Sequence, residues 1–149
     1  MNRFFGDEAS QAALDRAARE WSGTPWRPNA KTRGVGASCH HAVAGVLRDA
    51  GFPVPDVPDG PADWSRHQTR SLQAEWLDAH KERFQPIVMG DVLTGDVVGF
   101  QLGSCIHHLG IILPHGRFFQ SLKTTGATIA STTEPVFLRH AVRAWRPVI

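Results

Sequence analysis

The chain has 149 residues, of which 42% are hydrophobic and 20% are charged, as is typical of a globular protein that is not disordered. Sixteen basic and fourteen acidic residues leave a formal net charge of +2, which is too small to indicate a nucleic-acid partner. A chain of this length buries enough surface to fold without disulfides, so we expect a single domain over residues 1–149.

The N-terminal residues contain no apolar segment of the kind found in signal peptides. No run of about 18 apolar residues is present either, so we expect no membrane span. These features predict a product that is soluble and cytoplasmic as synthesised. Cys39 and Cys105 are too few for a disulfide framework, and a bridge between them does not follow from the sequence.

The first part of the chain shows helical spacing of its apolar residues. Residues 8–21 predict an amphipathic helix, which the turn residues at 22–26 end. Residues 27–37 predict a loop, and the simplest interpretation of its basic side chains is that they are solvated. These side chains are Arg27, Lys31 and Arg33.

A glycine-punctuated segment, residues 34–47, leads into a second predicted helix. Apolar residues recur at helical spacing up to residue 50, and Gly51 follows as a helix-ending signal. Ser38 precedes the helix, and we expect its hydroxyl to cap the first turn. Cys39 then lies in that turn, where the helix dipole favours the thiolate, the form of cysteine that attacks carbonyl groups.

The middle of the chain predicts a loop and a third helix. Residues 51–63 are rich in Pro, Asp and Gly, which is typical of a structured surface loop. Residues 64–83 predict a helix with Leu72, Trp76, Leu77 and His80 on one face. We expect His80 to be a face or capping residue rather than a ligand.

From about residue 87 the apolar period changes from 3.6 to 2, which indicates strands. Strands are predicted at 97–101, 107–113 and 117–122, with weaker candidates at 125–131 and 141–146. A loop at 114–116 joins two of them and carries glycine where a positive φ is expected. Helices followed by an antiparallel meander indicate an α+β fold.

The predicted strands bring together residues that suit nucleophilic catalysis. His107 and His108 are adjacent, so a strand directs them to opposite faces. If the three-residue loop closes the hairpin, Gly110 lies opposite Gln120, which is diagonal to His108 on the same face. A cysteine nucleophile needs a base and a polar group that holds the base. The pattern predicts Cys39, His108 and Gln120 in these roles, provided that the register does not slip by one residue.

Simpler interpretations of the same residues stay open. A lone cysteine in a helix usually packs as a small hydrophobe, and a lone strand histidine is usually structural. Zinc is the main alternative, because residues 39–41 and 105–108 together offer six candidate ligands. However, these segments lack the Cys-x-x-Cys or His-x-x-x-His spacing, and adjacent side chains point in different directions.

Three segments carry a resemblance to a known family. They are residues 21–26 (Trp-Ser-Gly-Thr-Pro-Trp), residues 36–39 (Gly-Ala-Ser-Cys) and a run through residues 95–100, 108–113 and 116–121. In this order they resemble the NlpC/P60 cysteine peptidases, and the likeness spans most of residues 12–147. In that family's motifs Cys39 matches the nucleophile, His108 the base and Gln120 the third polar position.

The resemblance implies a papain-like fold, with N-terminal helices packed on an antiparallel meander. It also implies hydrolysis of amide bonds in peptidoglycan stem peptides, commonly between D-glutamate and a diamino acid. No metal and no organic cofactor is implied. The form without binding modules is similar to versions associated with phage tails, which implies tail proteins as partners and delivery to the cell wall by a tail-like particle.

The chain departs from the family's motifs around the nucleophile. Ser38 stands where aspartate is usual, Trp26 stands where tyrosine is common, and His40 and His41 replace Ser-Gly. These changes bear on the substrate more than on the reaction. We expect substrate binding by Trp26, Arg33, His40 and His107.

Two other functions stay open beside a cysteine peptidase. The first is a non-catalytic structural component of a tail or tail-like particle that keeps the fold. The second is a cysteine-dependent acyltransferase, because transfer and hydrolysis differ only in the second acceptor.

Overall fold

A computed structural model describes residues 2–60 and 71–149 of the chain. The helices are α1 (Glu8–Trp21), α2 (Cys39–Asp49), α3 (Leu72–Ala79) and α4 (Pro135–His140), with a short 3-10 helix at Met89–Asp91. The strands are β1 (Lys31–Thr32), β2 (Gly36–Ala37), β3 (Phe84–Ile87), β4 (Val97–Gln101), β5 (Ile106–Leu113), β6 (Arg117–Leu122), β7 (Gly126–Ser131) and β8 (Ala141–Pro147).

Within the described residues, six strands form one antiparallel sheet in the order β3-β8-β4-β5-β6-β7, and β1 pairs with β2 in a separate hairpin. Helices α1, α2 and α3 pack on one face, around buried side chains that include Trp21, Leu47 and Phe119. A smaller cluster that includes Phe100 and Phe118 lies on the other face, against α4. This is the α+β arrangement that the sequence predicts.

Helix α1 begins and ends as the sequence predicts. Asp7 is its N-cap and accepts a hydrogen bond from the Ser10 backbone N–H at 2.7 Å, while the Ser10 side chain closes a capping box. Its apolar face is buried, as expected for an amphipathic helix. That face consists of Leu14, Ala17, Ala18 and Trp21.

Helix α3 is shorter than the predicted helix at 64–83. It begins at Leu72 and ends at Ala79, and residues 64–70 lie outside the described part of the chain. Asp78 anchors it to β8, since its carboxylate accepts two hydrogen bonds from Arg143 at 2.8 and 3.1 Å and one from Trp145 at 2.9 Å. The helix is therefore fixed to the sheet through its last turn.

Several short elements are absent from the sequence prediction. The predicted loop at 27–37 contains the β1–β2 hairpin, while β3 and α4 lie where no element was assigned. Each is seven residues or fewer, and β3 contains Pro86, which is unfavourable in a strand except at an edge. The predicted strand positions are otherwise close to the observed ones.

The β5–β6 hairpin has the register that the loop length predicts. Leu113 pairs with Arg117, and Gly110 pairs with Gln120. Within the connecting loop His115 has φ 66° and Gly116 has φ 68°, so two consecutive residues adopt left-handed backbone. No helix in the ranges 2–60 and 71–149 is both long enough and apolar enough to cross a membrane.

Candidate active site

An open cleft of about 440 Å³ lies at the start of α2, beside the β5–β6 part of the sheet. It brings together residues from the two regions that the sequence analysis singled out. The described residues that line it include Trp26, Cys39, His107, His108, Ser121 and Lys123. Cys39 and His108 therefore face the same cleft although 69 positions separate them in the chain.

Cys39 is the first residue of α2, as predicted, but the helix start differs from the prediction. Ser38 is the N-cap residue and has extended backbone, yet its side chain makes no capping hydrogen bond. The Ser38 hydroxyl is buried without a partner in the described structure. The expectation that this hydroxyl caps the helix is therefore wrong, and backbone geometry alone defines the helix start.

The Cys39 sulfur is largely shielded from solvent by other residues. Cys39 is 5% exposed, and its Sγ lies 3.4 Å from the Gln73 side-chain Nε2 and 3.9 Å from the His107 carbonyl oxygen. Burial raises the pKa of the thiol to about 11, although hydrogen bonds from the backbone of Leu109 and His40 and from Gln73 act in the opposite direction. The expectation of a thiolate favoured by the helix dipole is wrong for this resting state.

His108 and Gln120 are in direct contact. The His108 Nε2 lies 2.9 Å from the Gln120 Oε1, and both residues are buried. The His108 ring also packs on Phe100, with ring centroids 5.1 Å apart. Burial lowers the pKa of His108, while the hydrogen bond to Gln120 opposes that shift.

The contact with Gln120 selects one tautomer of His108. An amide oxygen can only accept, so the Nε2 of His108 carries the proton that it donates to Gln120. In the neutral ring the lone pair is then on Nδ1, and that nitrogen has no hydrogen-bond partner among the described residues. Among the described residues, no hydrogen bond joins the His108 ring to the Cys39 sulfur. Such contacts often form only when a substrate is bound.

Two of the four predicted substrate-binding residues line the cleft. Trp26 and His107 are both on its wall, and the Nε2 of His107 contacts the Leu102 carbonyl oxygen. Lys123, which the sequence analysis did not single out, lies with its Nζ 5.2 Å from the Trp26 ring centroid. Partial burial, together with the positive charge of Lys123, lowers the pKa of His107.

The other two predicted substrate residues do not line this cleft. The Arg33 guanidinium pairs with Glu20 of α1 at 3.0 Å and with Asp49 of α2 at 3.4 Å. The geometry therefore gives Arg33 no part in the cleft, because its charge is matched at the surface. Of the three basic residues at 27–37, none is among the described residues that line the cleft.

His40 faces away from the cleft, toward a small pocket formed with Gln73 and Trp76. Its ring packs on His41 with centroids 4.5 Å apart. Burial, together with the neighbouring charge of His41, lowers the pKa of His40 to about 4. His41 in turn lies 2.9 Å from the Asp59 carboxylate. The two histidines therefore belong to the protein interior on this side of α2.

The zinc alternative finds no support in the geometry. In the residues that the structure describes, no group of three or more His, Cys, Asp or Glu side chains is arranged to hold a metal ion. Cys39, His107 and His108 line the cleft, whereas His40 and His41 do not, because adjacent side chains on a helix point in different directions. Cys39 and Cys105 are both free thiols.

Gln73 is the site residue that the sequence analysis missed. It lies on α3, is 3% exposed, and contacts the Cys39 sulfur from a position 34 residues away in the chain. The sequence offered one indication of this role. Gln73 is on the buried side of a predicted helix, and burying an amide is costly unless the amide has a hydrogen-bond partner. The pattern alone did not identify that partner.

The chain resembles proteins of one family in both sequence and fold. A family model described as the NlpC/P60 family matches residues 23–146. A protein from Staphylococcus aureus, described as similar to lipoprotein and of the NLP/P60 family, superposes with a TM-score of 0.69 and 17% identity, over all of this chain and 45% of that one. This chain thus spans under half of that protein.

Two further solved structures are similar in fold. The NlpC/p60 domain of the peptidoglycan hydrolase SagA has a TM-score of 0.59 and 15% identity, over 93% of this chain and 98% of that domain. The peptidoglycan hydrolase RipB from Mycobacterium tuberculosis has a TM-score of 0.59 and 13% identity, over 94% of this chain and 65% of that one. None of the curated proteins matches the sequence. The family match covers most of the chain and agrees with the fold, and the chain belongs to the NlpC/P60 family.

Proposed function

We propose that the protein is a cysteine peptidase that hydrolyses amide bonds in peptidoglycan stem peptides, with Cys39 as the nucleophile, His108 as the base and Gln120 as the orienting residue. The observation that carries the proposal is the His108–Gln120 contact of 2.9 Å at a cleft that Cys39 also lines. This contact leaves the free lone pair of the ring on the nitrogen that does not bind Gln120.

The reaction follows from these roles. The Nδ1 of His108 takes the proton of the Cys39 thiol as the sulfur attacks the scissile carbonyl carbon. The C–N bond then breaks, His108 returns the proton to the leaving amine, and a thioester remains on Cys39. Water next attacks the thioester while His108 accepts one of its two protons. The C–S bond breaks, His108 returns that proton to the Cys39 sulfur, and the released acid loses the other proton to solvent to give a carboxylate.

The resting pair is neutral in this proposal. Burial raises the pKa of the Cys39 thiol to about 11 and lowers the pKa of His108, so both groups favour their uncharged forms. Proton transfer then accompanies nucleophilic attack rather than preceding it. A bound substrate places its carbonyl carbon beside the Cys39 sulfur, so the transfer of the thiol proton to His108 leads to formation of the S–C bond.

The charge of the cleft supports an anionic substrate. Lys123 is a cation on its wall, and none of the described lining residues is acidic. Stem peptides carry free carboxylates, which the positive charge of a lysine ammonium attracts. We therefore assign carboxylate binding to Lys123, with Trp26 and His107 forming the adjoining wall.

The direct test is cleavage of a synthetic stem tetrapeptide that contains a D-glutamyl–diamino acid bond. We expect mass spectrometry to detect two products with the unmodified protein and with Cys105→Ser, but none with Cys39→Ala or His108→Ala. Rapid quenching of the reaction should also trap an acyl adduct on Cys39. Equal cleavage by Cys39→Ala, or no cleavage of any stem peptide by the folded protein, would contradict the proposal.

A non-catalytic role is the second candidate, and the buried thiol is the observation that favours it. A Cys39 pKa of about 11 suits an inert packing residue as well as a masked nucleophile. This candidate predicts that stem peptides bind without being cleaved and that Cys39→Ala binds them equally well. An acyltransferase would instead give a transfer product when an amine acceptor is added. Association with a phage tail stays a prediction, and none of the similar structures described above bears on it.

A further inference from the structure

Gln73 holds its side-chain amide against the sulfur of Cys39. Its Nε2 is 3.4 Å from the sulfur and 3.3 Å from the His107 carbonyl oxygen. A carbonyl oxygen can only accept hydrogen bonds, so the contact with His107 identifies this end of the amide as the NH2 group. The same nitrogen therefore presents an N–H donor to the sulfur.

Packing alone does not explain a glutamine at this position. The residue is 3% exposed, and its Oε1 is buried without a hydrogen-bond partner in the described structure. An unpaired buried oxygen destabilises the folded state, whereas an apolar side chain of the same length would have no such cost. A residue that is costly for folding and touches a nucleophile is expected to contribute to the reaction.

The amide is held in place from both ends of its helix. The Ser71 hydroxyl accepts a hydrogen bond from the Ala74 backbone N–H at 3.0 Å and caps the start of α3. Asp78 fixes the last turn to β8 through Arg143 and Trp145. Gln73 lies between these two anchors, so its donor is positioned before any charge develops on the sulfur.

We propose that Gln73 is a catalytic residue that stabilises the Cys39 thiolate by donating an N–H···S hydrogen bond from α3. The neutral thiol is a weak acceptor, whereas the thiolate is a strong one, so the bond strengthens when the proton moves to His108. The inference rests on the proposed role of Cys39 as nucleophile. It adds a donor from α3 to the three residues predicted from the sequence.

The test measures ionisation of the sulfur rather than hydrolysis, so it can fail separately from the proposed function. In a Cys105→Ser background, the rate of Cys39 alkylation by iodoacetamide is followed from pH 6 to pH 11. Gln73→Met keeps the length of the side chain but has no donor. We expect about tenfold slower alkylation at pH 8, because a hydrogen bond to a charged group changes a pKa by about one unit or more.

A purely structural role for Gln73 predicts a different pattern. Gln73→Met removes the unpaired buried oxygen, so we expect a melting temperature equal to or above that of the parent protein. Leu14→Ala on α1 is the control, because it leaves a cavity in the core and changes neither Gln73 nor the anchors of α3. We expect it to lower the melting temperature and leave the alkylation rate per folded molecule unchanged.

Two outcomes would overturn the proposal. One is an unchanged alkylation profile in Gln73→Met. The other is slower alkylation in Gln73→Met that Leu14→Ala reproduces at an equal loss of melting temperature, because the loss of stability would then explain both. If Gln73→Met does not fold, Gln73→Leu decides: its side chain is apolar and has no donor, and unchanged alkylation in it would equally refute the proposal.

Discussion

Gly110 lies directly opposite Gln120 in the β5–β6 ladder, and the sheet has no room there for a side chain. A Cβ at Gly110 would lie 2.9 Å from the Phe119 carbonyl oxygen, 3.1 Å from the Phe100 ring and 3.3 Å from the Phe118 ring. The contacts come from backbone and from packed rings, which do not move aside easily. Glycine at this position therefore lets the Phe100 and Phe118 rings pack closely on the strand that carries His108.

Gly110→Ala is expected to destabilise the protein by about 1–3 kcal/mol, the usual cost of overpacking a core. The free energy of unfolding from urea denaturation checks this. Gly90→Ala is the matched control, because a Cβ at Gly90 would have no atom within 4 Å. We expect a change within about 0.5 kcal/mol for that control. Equal stability of the two variants would show that the sheet adjusts around the added methyl group.

Replacing Gln120, the proposed orienting residue, should slow the chemical step more than it weakens substrate binding. Gln120→Leu removes the acceptor of the His108 Nε2 proton, so the ring loses its fixed tautomer. We expect kcat to fall by up to about 100-fold, the lower end of what positioned acid–base catalysis contributes, with KM nearly unchanged. Stem-peptide hydrolysis measured under saturating conditions checks this.

The control for that change is Gln85→Leu, on the exposed edge strand β3, where no effect on kcat is expected. Gln120→His should recover part of the activity, because an imidazole nitrogen can accept the same proton. A Gln120→Leu variant with full kcat would show that the contact with His108 is structural.

The buried His40 should make the protein sensitive to acid. Its pKa is lowered to about 4, so the folded state disfavours the charged ring while the unfolded state protonates it near pH 6.5. The resulting stability is complete above about pH 6.5 and is lost as the pH falls toward 4. The loss is on the order of 3 kcal/mol. Urea denaturation at pH 7, 5.5 and 4.5 measures it.

His40→Gln should reduce this loss between pH 7 and pH 4.5. His115→Asn is the control, since His115 is exposed and asparagine tolerates its positive φ. It should leave the pH dependence as it is in the parent protein. A parent-like pH dependence in His40→Gln would assign the acid sensitivity to other groups, His108 first among them.

Two basic residues should differ in their effect on substrate binding. Lys123→Ala is expected to raise KM for a carboxylate-bearing stem peptide by roughly twofold to fivefold with kcat unchanged, because an exposed charge contributes modestly. Arg33→Ala should leave both constants unchanged, because Arg33 pairs with Glu20 and Asp49. Steady-state kinetics of the two variants in parallel checks this. A larger rise in KM for Arg33→Ala than for Lys123→Ala would instead assign carboxylate binding to the segment at 27–37.

The sequence predicted local features well and tertiary ones less well. The β5–β6 register followed from a three-residue loop and alternating apolar residues, both of which are local. The pKa of Cys39 was expected to fall because the helix dipole is visible in the sequence, whereas the opposing burial depends on the packing of α3 and β5.

The remaining differences between the sequence prediction and the structure also come from contacts between residues that are distant in the chain. The Gln73 contact joins residues 34 positions apart, and no spacing rule relates them. Arg33 was assigned to the substrate because its charge was visible, while its partners Glu20 and Asp49 come from two different helices. Long-range pairing therefore determines which of the predicted polar residues reach the cleft.

The identity of residue 120 has a consequence for how the proposed enzyme responds to acid. A glutamine does not ionise, so the group that holds His108 keeps the same charge at every pH at which the fold survives. A second imidazole at that position would titrate together with the first, and the pair would share two macroscopic constants. Here the acidic limb of a pH–rate profile should follow a single ionisation, and burial of His108 moves that limb below the usual range of histidine.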